Sequence, residues 1–115
     1  MVPVQEVDIH TDKKVFLKVH LVRPYGSSVY SAEVIVYDSE YNPPFSSIVS
    51  FPEKSQSAHD AYERALKWCR EYAAKHSYKI LRVNNPCNAE FLDKGTQQSI
   101  LNKLNINVLV EVNGA

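Results

Sequence analysis

The stretch SAHDAYERALKWCREYAAKH, residues 57–76, decides the fold because it carries the clearest helical pattern in the chain. Ser57 is a good N-cap, and Asp60 three residues later makes a start that resembles a capping box. The apolar residues recur at steps of three and four, and they are Ala58, Ala61, Tyr62, Ala65, Leu66, Cys69, Tyr72 and Ala73. This spacing predicts a long amphipathic helix with one broad apolar stripe.

The polar face of the same segment supports the prediction. Opposite charges stand four residues apart in the pairs Asp60–Arg64, Glu63–Lys67 and Glu71–Lys75. Each pair adds only a few tenths of a kcal/mol to a helix. His76 suits the negative pole of the helix dipole at the end of the segment.

Four segments before the helix are predicted to be strands, over residues 4–10, 15–22, 29–38 and 45–51. In the second of them Val15, Leu17, Val19 and Leu21 alternate with Phe16, Lys18 and His20, which is the period of a half-buried strand. Polar or proline-rich turns separate the segments. They predict an antiparallel meander of three strands, or of four if residues 4–10 pair within the chain and not with another copy.

After the helix, residues 78–83 are predicted to be a short strand that ends at Asn84, Asn85 and Pro86. Asn85 is expected to cap a short helix that ends before Gly95, and Thr96 a second one that reaches Asn105. Residues 106–112 alternate as a final strand. We therefore predict a single α+β domain over residues 1–115, with the long helix packed on one face of a mixed sheet and a parallel strand–short helix–strand crossover at the end.

The composition argues against several functional classes. The 115 residues include 13 basic and 13 acidic ones, so the chain lacks the basic excess that is typical of nucleic-acid binders. Zero net charge gives little repulsion between copies, which favours self-association. The two cysteines, Cys69 and Cys87, do not form a disulfide framework or a CxxC motif. The start of the chain has no apolar signal segment and no run of residues could span a membrane, so a cytoplasmic location is expected.

The order of elements over about residues 15–112 resembles that of the ribonuclease H-like fold. The resemblance implies converging carboxylates that hold two divalent metals for phosphodiester cleavage. Lys18 and His20 occupy the first strand of the expected meander, and Asn84 and Asn85 follow the strand after the long helix. Glu63 is the only acid in a fitting place, and Lys67 is its expected partner. The resemblance therefore implies a non-catalytic version.

The remaining reactive residues give no catalytic or metal-binding pattern. The four histidines lack the spacing of metal ligands, Cys69 belongs to the apolar stripe of the helix, and Cys87 has no base in its neighbouring sequence. We expect no cofactor and no metal, and an enzyme with an unrecognised site is only the third hypothesis.

Two sets of residues are candidates for recognition. Aromatic residues in or beside turns are typical of protein-interaction surfaces, and they are Tyr25, Tyr37, Tyr41 and Phe45. The leading hypothesis is a non-enzymatic interaction domain whose partner is another protein or a second copy in a homodimer. The alternative is a nucleic-acid-binding module on the outward sheet face, using the basic residues of the first hairpin, Lys13, Lys14, Lys18, His20 and Arg23.

Overall fold

A computed structural model describes residues 2–23, 28–51, 57–87 and 91–112, with side chains from Gln5 onward in the first strand. The described part is an α+β fold with one six-stranded mixed sheet and two helices. In chain order the elements are β1 (Val2–Thr11), β2 (Val15–Arg23), β3 (Ser31–Asp38), β4 (Phe45–Ser50), α1 (Ala58–Lys75), β5 (Ile80–Asn85), α2 (Lys94–Lys103) and β6 (Val110–Val112).

The strands lie in the order β4-β3-β2-β1-β5-β6. β1 pairs antiparallel with β2, β2 with β3 and β3 with β4; β1 also pairs antiparallel with β5, and β5 pairs parallel with β6. Within the chain β1 therefore pairs with β2 along most of its length and with β5 over residues 8–11. The ribonuclease H-like arrangement is not confirmed, because the neighbour of β5 is β1, a strand that the resemblance left out.

Both helices lie on the same face of the sheet. The core between the two layers contains Val7 and Ile9 of β1, Leu17 and Val19 of β2, and Val34 of β3, all with no exposed surface. The two helices also contact each other, since the Tyr62 hydroxyl on α1 donates to Gln97 Oε1 on α2 at 3.1 Å. No described helix covers the opposite face, which we call the open face.

The long helix is confirmed. Ser57 caps it by accepting a hydrogen bond from the backbone N–H of Asp60 at 3.3 Å. The predicted stripe is buried at Ala61, Tyr62, Ala65, Leu66, Cys69 and Ala73. Burial raises the pKa of the Cys69 thiol, which suits a core residue rather than a nucleophile. Trp68 and Tyr72 border the stripe and are partly buried against the core.

One predicted ion pair of α1 is different in the structure. Glu63 binds Lys103 of α2, with the ammonium at 2.9 Å and 3.1 Å from the two carboxylate oxygens. The sequence predicted Lys67 as the partner of Glu63, because it shows the spacing of charges along one helix but not the contacts between two helices. The side chain instead links the two helices.

The second helix is capped three residues earlier than predicted. Its N-cap is Asp93, whose carboxylate accepts from the Thr96 N–H at 2.7 Å, and this hydrogen bond lowers the pKa of Asp93. Thr96 therefore lies inside the first turn, and Gly95 lies in the helix instead of after one. Asn105, the second residue after the helix, has a φ of 59°, the left-handed conformation that often ends a helix.

The other differences lie on either side of α2. Asn84 and Asn85 are the last residues of β5, so the strand reaches beyond its predicted end and Asn85 lies in it instead of capping a helix. Of residues 86–93, the structure describes 86, 87 and 91–93, and none of these is helical. The final strand is also shorter than predicted, because Ile106 folds back to donate its N–H to the Leu101 carbonyl at 2.9 Å.

Candidate functional site

Three side-chain amides form a buried network between the sheet and α2. Asn85 and Gln97 face each other as a pair, with Asn85 Nδ2 donating to Gln97 Oε1 at 3.0 Å and Gln97 Nε2 donating to Asn85 Oδ1 at 3.1 Å. Gln5 of β1 donates to Asn85 Oδ1 at 3.2 Å and accepts from the Leu92 N–H at 2.9 Å. The network joins β1, β5, the segment before α2, and α2 itself.

All hydrogen-bonding positions of these amides are occupied. Gln5 and Gln97 both donate to the Leu92 carbonyl, at 3.2 Å and 2.8 Å, and Asn85 donates to the Glu111 carbonyl at 3.1 Å. The Phe91 N–H donates to Gln5 Oε1 at 3.2 Å. The Tyr62 hydroxyl donates the second hydrogen bond that Gln97 Oε1 accepts. A buried network with every member satisfied specifies a unique packing, so we assign these residues a structural role.

An ionic cluster of Glu6, Asp8, Lys18, His20 and Glu33 occupies the centre of the open face. The Lys18 ammonium lies 3.7 Å from Glu6 and 3.6 Å from Asp8. The His20 ring lies between Glu6 at 3.6 Å and Glu33 at 3.3 Å. Lys18 and His20 therefore lie among carboxylates, and the surface around them is not basic.

The other residues of the predicted basic set lie apart from this cluster. Lys13 and Lys14 are exposed in the turn between β1 and β2. Arg23 is at the opposite end of β2, where its guanidinium carbon lies 5.7 Å from the ring centre of Tyr30 and 5.3 Å from that of Phe91. A nine-residue strand separates these positions, which is roughly 27–30 Å at about 3.3 Å per residue.

Metal ligands do not converge anywhere in the described residues. No group of three or more His, Cys, Asp or Glu side chains among them is placed to hold a metal ion. None of the helices described is both long and apolar enough to cross a membrane.

A row of three rings crosses the open face beside the ionic cluster. The ring centres of His10 and Phe16 are 5.1 Å apart, and those of Phe16 and Tyr37 are 5.7 Å apart. We call these residues the ring row. They border a groove of about 420 Å³, whose other lining residues are Thr11, Lys13, Lys14, Val15 and Ser39. Tyr37 is 43% exposed, as the alternation of its strand predicted.

A second aromatic group lies on the helix side, at the corner where β3 ends and β4 begins. Tyr41 and Phe45 meet edge to face with ring centres 4.8 Å apart, and Tyr41 also contacts His76 at 6.2 Å. Behind them His76 stacks on Tyr78 at 5.4 Å and contacts Tyr72 at 4.5 Å. We call Tyr41, Phe45, Tyr72, His76 and Tyr78 the aromatic corner.

Asp38 holds the aromatic corner together. Its side chain is 1% exposed, and its Oδ2 accepts from the Tyr72 hydroxyl at 2.8 Å and from the Tyr78 hydroxyl at 3.2 Å. Its Oδ1 accepts from the Glu40 N–H at 3.0 Å. Desolvation and the hydrogen bond to this carboxylate raise the pKa of both tyrosines. Sequence reasoning missed Asp38, because the tyrosines lie 34 and 40 residues away from it.

Strand β4 forms one edge of the sheet and pairs only with β3 in the described part of the chain. Its residues are exposed except for the half-buried Val49, and Ile48 reaches 63% exposure. Its sequence, FSSIVS, contains no charge and no proline. Proteins commonly protect an edge strand with charged residues or proline. β4 has neither, so it is an unprotected edge.

The predicted interaction aromatics are thus divided between surfaces. Tyr41 and Phe45 come together at the start of β4 and are 45% and 39% exposed. Tyr37 lies on the open face, and Tyr25 falls outside the described residues. A groove of about 510 Å³ lies elsewhere, between the end of α1, β5 and the segment after α2; among its lining residues are Arg70, Tyr78, Leu81, Asn105 and Val108.

The comparisons with known proteins identify no relative. No family model, no curated protein and no solved structure matches the chain.

Proposed function

We propose that the chain is a small, non-enzymatic protein-interaction domain that associates by adding a strand at β4. The observation that carries the proposal is the uncharged, exposed edge of that strand. Such an edge presents backbone N–H and C=O groups to which another extended segment can pair. The affinity then comes from main-chain hydrogen bonds, and the specificity from the side chains on either side of the edge.

The aromatic corner supports the same surface. Tyr41 and Phe45 lie at the start of the edge, and aromatic side chains are enriched in the centres of protein interfaces. Asp38 fixes the rings behind them through the two tyrosine hydroxyls. A surface that is ordered before binding loses less side-chain entropy when the partner arrives.

The partner that best fits this edge is a second copy of the chain. No charged residue lies in β4, so two copies pair without placing like charges opposite each other. The balance of 13 basic and 13 acidic residues also removes long-range repulsion between copies. Two antiparallel β4 strands related by a two-fold axis form an isologous interface, which is the commonest type in homodimers.

The alternation of β4 restricts the register of that pair. Ser46, Ile48 and Ser50 lie on the open face, and Phe45, Ser47 and Val49 lie on the helix face. If the open faces of the two copies lie on the same side of the joined sheet, Ile48 can lie directly opposite Ile48 of the second copy. Phe45 then stands opposite Phe51 of the second copy, a residue that packs partly against the core. This register pairs apolar side chains on both faces.

The association is tested by light scattering of the purified chain over a range of concentrations. We expect a dimer that Ile48→Lys converts to a monomer, because the charge would face its own copy across the pair. Leu81→Lys is the matched control, since Leu81 is 49% exposed but belongs to the interior strand β5. A wild-type chain that stays monomeric at every concentration, or an Ile48→Lys variant that still dimerises, would contradict the proposal.

The register is tested by oxidation of single-cysteine variants made in a Cys87→Ser background, since Cys87 is exposed and Cys69 is buried. Directly opposite residues have Cα atoms about 4.5–5.5 Å apart, which a disulfide can bridge. Ile48→Cys should therefore form a covalent dimer. Ser47→Cys is the control, because its copy lies diagonally, at about 7–8 Å, and should cross-link poorly.

A further inference from the structure

The ring row and the two lysines beside it form a second surface, which lies on the open face and does not include the free edge of β4. Tyr37 is the most exposed of the three rings, and Phe16 lies between it and His10. Rings presented on a sheet face can stack with the bases of a single strand, whose faces are not already paired. The groove of about 420 Å³ beside the rings is open to solvent, so an extended strand can lie along it.

The turn beside this groove carries two lysines, Lys13 and Lys14, and one acid, Asp12, so it has an excess of positive charge although the chain is neutral overall. Lys13 and Lys14 are exposed, and neither side chain makes an ion pair within the described residues. The acids nearby are engaged in other contacts. Asp12 accepts the Lys79 N–H at 2.8 Å, Glu111 binds Arg82 at 2.7 Å, and Asp8 lies 3.6 Å from Lys18. Lys13 and Lys14 therefore remain available to an anionic ligand, with Asp12 as the one opposing charge in the turn.

The turn that carries the lysines is held in one shape. The Thr11 hydroxyl donates toward the Val15 carbonyl at 3.0 Å and accepts from the Lys13 N–H at 3.2 Å. The Asp12 N–H donates to the Lys79 carbonyl at 2.9 Å, and the Ser39 N–H donates to the Lys14 carbonyl at 2.8 Å. The lysine backbones are thus fixed relative to the rings.

We infer that this groove binds short single-stranded nucleic acid, with a base stacked on Tyr37 and the adjoining phosphates bound by Lys13 and Lys14. The site differs from the basic set that the sequence suggested, because Lys18 and His20 lie among carboxylates and Arg23 lies at the far end of β2. Binding is expected to be weak and independent of sequence, because stacking accepts every base.

The test is fluorescence anisotropy with labelled ten-nucleotide dT and rU strands. Two neutralised phosphates give a salt slope of roughly −1.4, from about 0.7 per phosphate in single strands. The affinity should therefore fall about sevenfold between 50 mM and 200 mM salt. The Lys13→Gln/Lys14→Gln variant should bind more weakly and lose this dependence. Tyr37→Ala should raise the Kd by about fivefold to a hundredfold through lost stacking.

Matched controls separate this site from general effects of charge or of exposed rings. Tyr41→Ala removes a ring that is 45% exposed, against 43% for Tyr37, but from the helix side. Lys67→Gln/Lys75→Gln removes two exposed lysines from α1. Both controls should bind like the wild type, and all variants should keep the circular dichroism of the folded chain.

Four outcomes would overturn the inference. They are no binding at 50 mM salt, equal losses in the control variants, equal affinity for a duplex of the same length, and equal affinity for a mononucleotide. The last two would show that unpaired bases or a continuous strand are not what the groove recognises. None of them bears on the association through β4, which is measured without nucleic acid.

Discussion

The hydroxyl of Tyr72 donates a 2.8 Å hydrogen bond to Oδ2 of Asp38, and so fastens the last turns of α1 to the end of β3. Tyr78 donates to the same oxygen at 3.2 Å. The carboxylate is nearly inaccessible to water, so its stability in the core depends on these donors.

Removing this acceptor should cost stability. A hydrogen bond to a charged group contributes about 1.5–3 kcal/mol. The two bonds here should together give less than twice that range, because Tyr72 is only partly buried. We expect Asp38→Ala to lower the free energy of unfolding by about 2–3 kcal/mol, measured by urea denaturation. Asp38→Asn keeps one accepting oxygen and should lose less. Equal stability of Asp38→Ala and the wild type would show that water replaces the carboxylate at no cost.

The raised pKa values predict a loss of stability at high pH. Burial raises the pKa of Tyr62 and Tyr72 in the folded chain, so unfolded tyrosines lose their protons first. The stability that depends on these protons is complete below the ordinary tyrosine pKa of about 10 and is lost as pH rises toward the folded values.

The measurement is urea denaturation at several pH values from 8.5 to 11.5. One tyrosine that stays protonated only in the folded chain gives a slope of up to about 1.4 kcal/mol per pH unit. The Tyr72→Phe variant should therefore decline less steeply than the wild type above pH 10. Identical profiles for the two proteins would contradict the assigned cause.

Local patterns in the sequence were sufficient for the elements that depend on neighbouring residues. The cap at Ser57, the stripe of α1 and the outward position of Tyr37 follow from periods of 3.6 and 2 along one segment. The pairing of β1 with both β2 and β5 does not follow in this way. The pairing of β1 with β5 depends on contacts between residues about 70 positions apart, such as Ile9 with Val83.

The candidate sites show the same limit. From their own strand alone, Lys18 and His20 were predicted to form part of a basic surface. Their neighbours across the sheet are Asp8, Glu6 and Glu33. Asn85 was predicted to cap a helix, because amide side chains usually compete with the hydrogen bonds of regular structure. In the folded chain the partners of its amide are Gln5 and Gln97, so it can remain in a buried strand.

The amide network predicts a coupling between Tyr62 and Gln97. Gln97→Leu keeps the approximate volume but leaves the Tyr62 hydroxyl and one N–H of Asn85 Nδ2 without an acceptor, whereas Gln5 still donates to Asn85 Oδ1 and to the Leu92 carbonyl. We expect a loss of about 2–6 kcal/mol, at about 1–3 kcal/mol for each of these two unsatisfied donors. Tyr62→Phe removes only the hydroxyl and should cost about 1 kcal/mol.

The double variant should lose less than the sum of the two single changes, by about 0.5–1.5 kcal/mol, because it removes both partners of one hydrogen bond. Urea denaturation of the four proteins gives this difference. Strict additivity would mean that the hydroxyl and the amide do not interact.

The link between the helices predicts which lysine is coupled to Glu63. The structure joins Glu63 to Lys103 at 2.9 Å, whereas spacing along α1 alone suggests Lys67. The Lys103 side chain is 64% exposed, so the pair is screened by water and should be worth only about 0.2–1 kcal/mol. Two double-mutant cycles, Glu63→Gln with Lys103→Gln and Glu63→Gln with Lys67→Gln, should give a coupling energy for the first pair and a value near zero for the second. The first coupling should also shrink in 1 M salt, where the screening length falls to about 3 Å. A larger coupling energy for Glu63 with Lys67 than with Lys103 would show that Glu63 pairs within its own helix and does not connect α1 with α2.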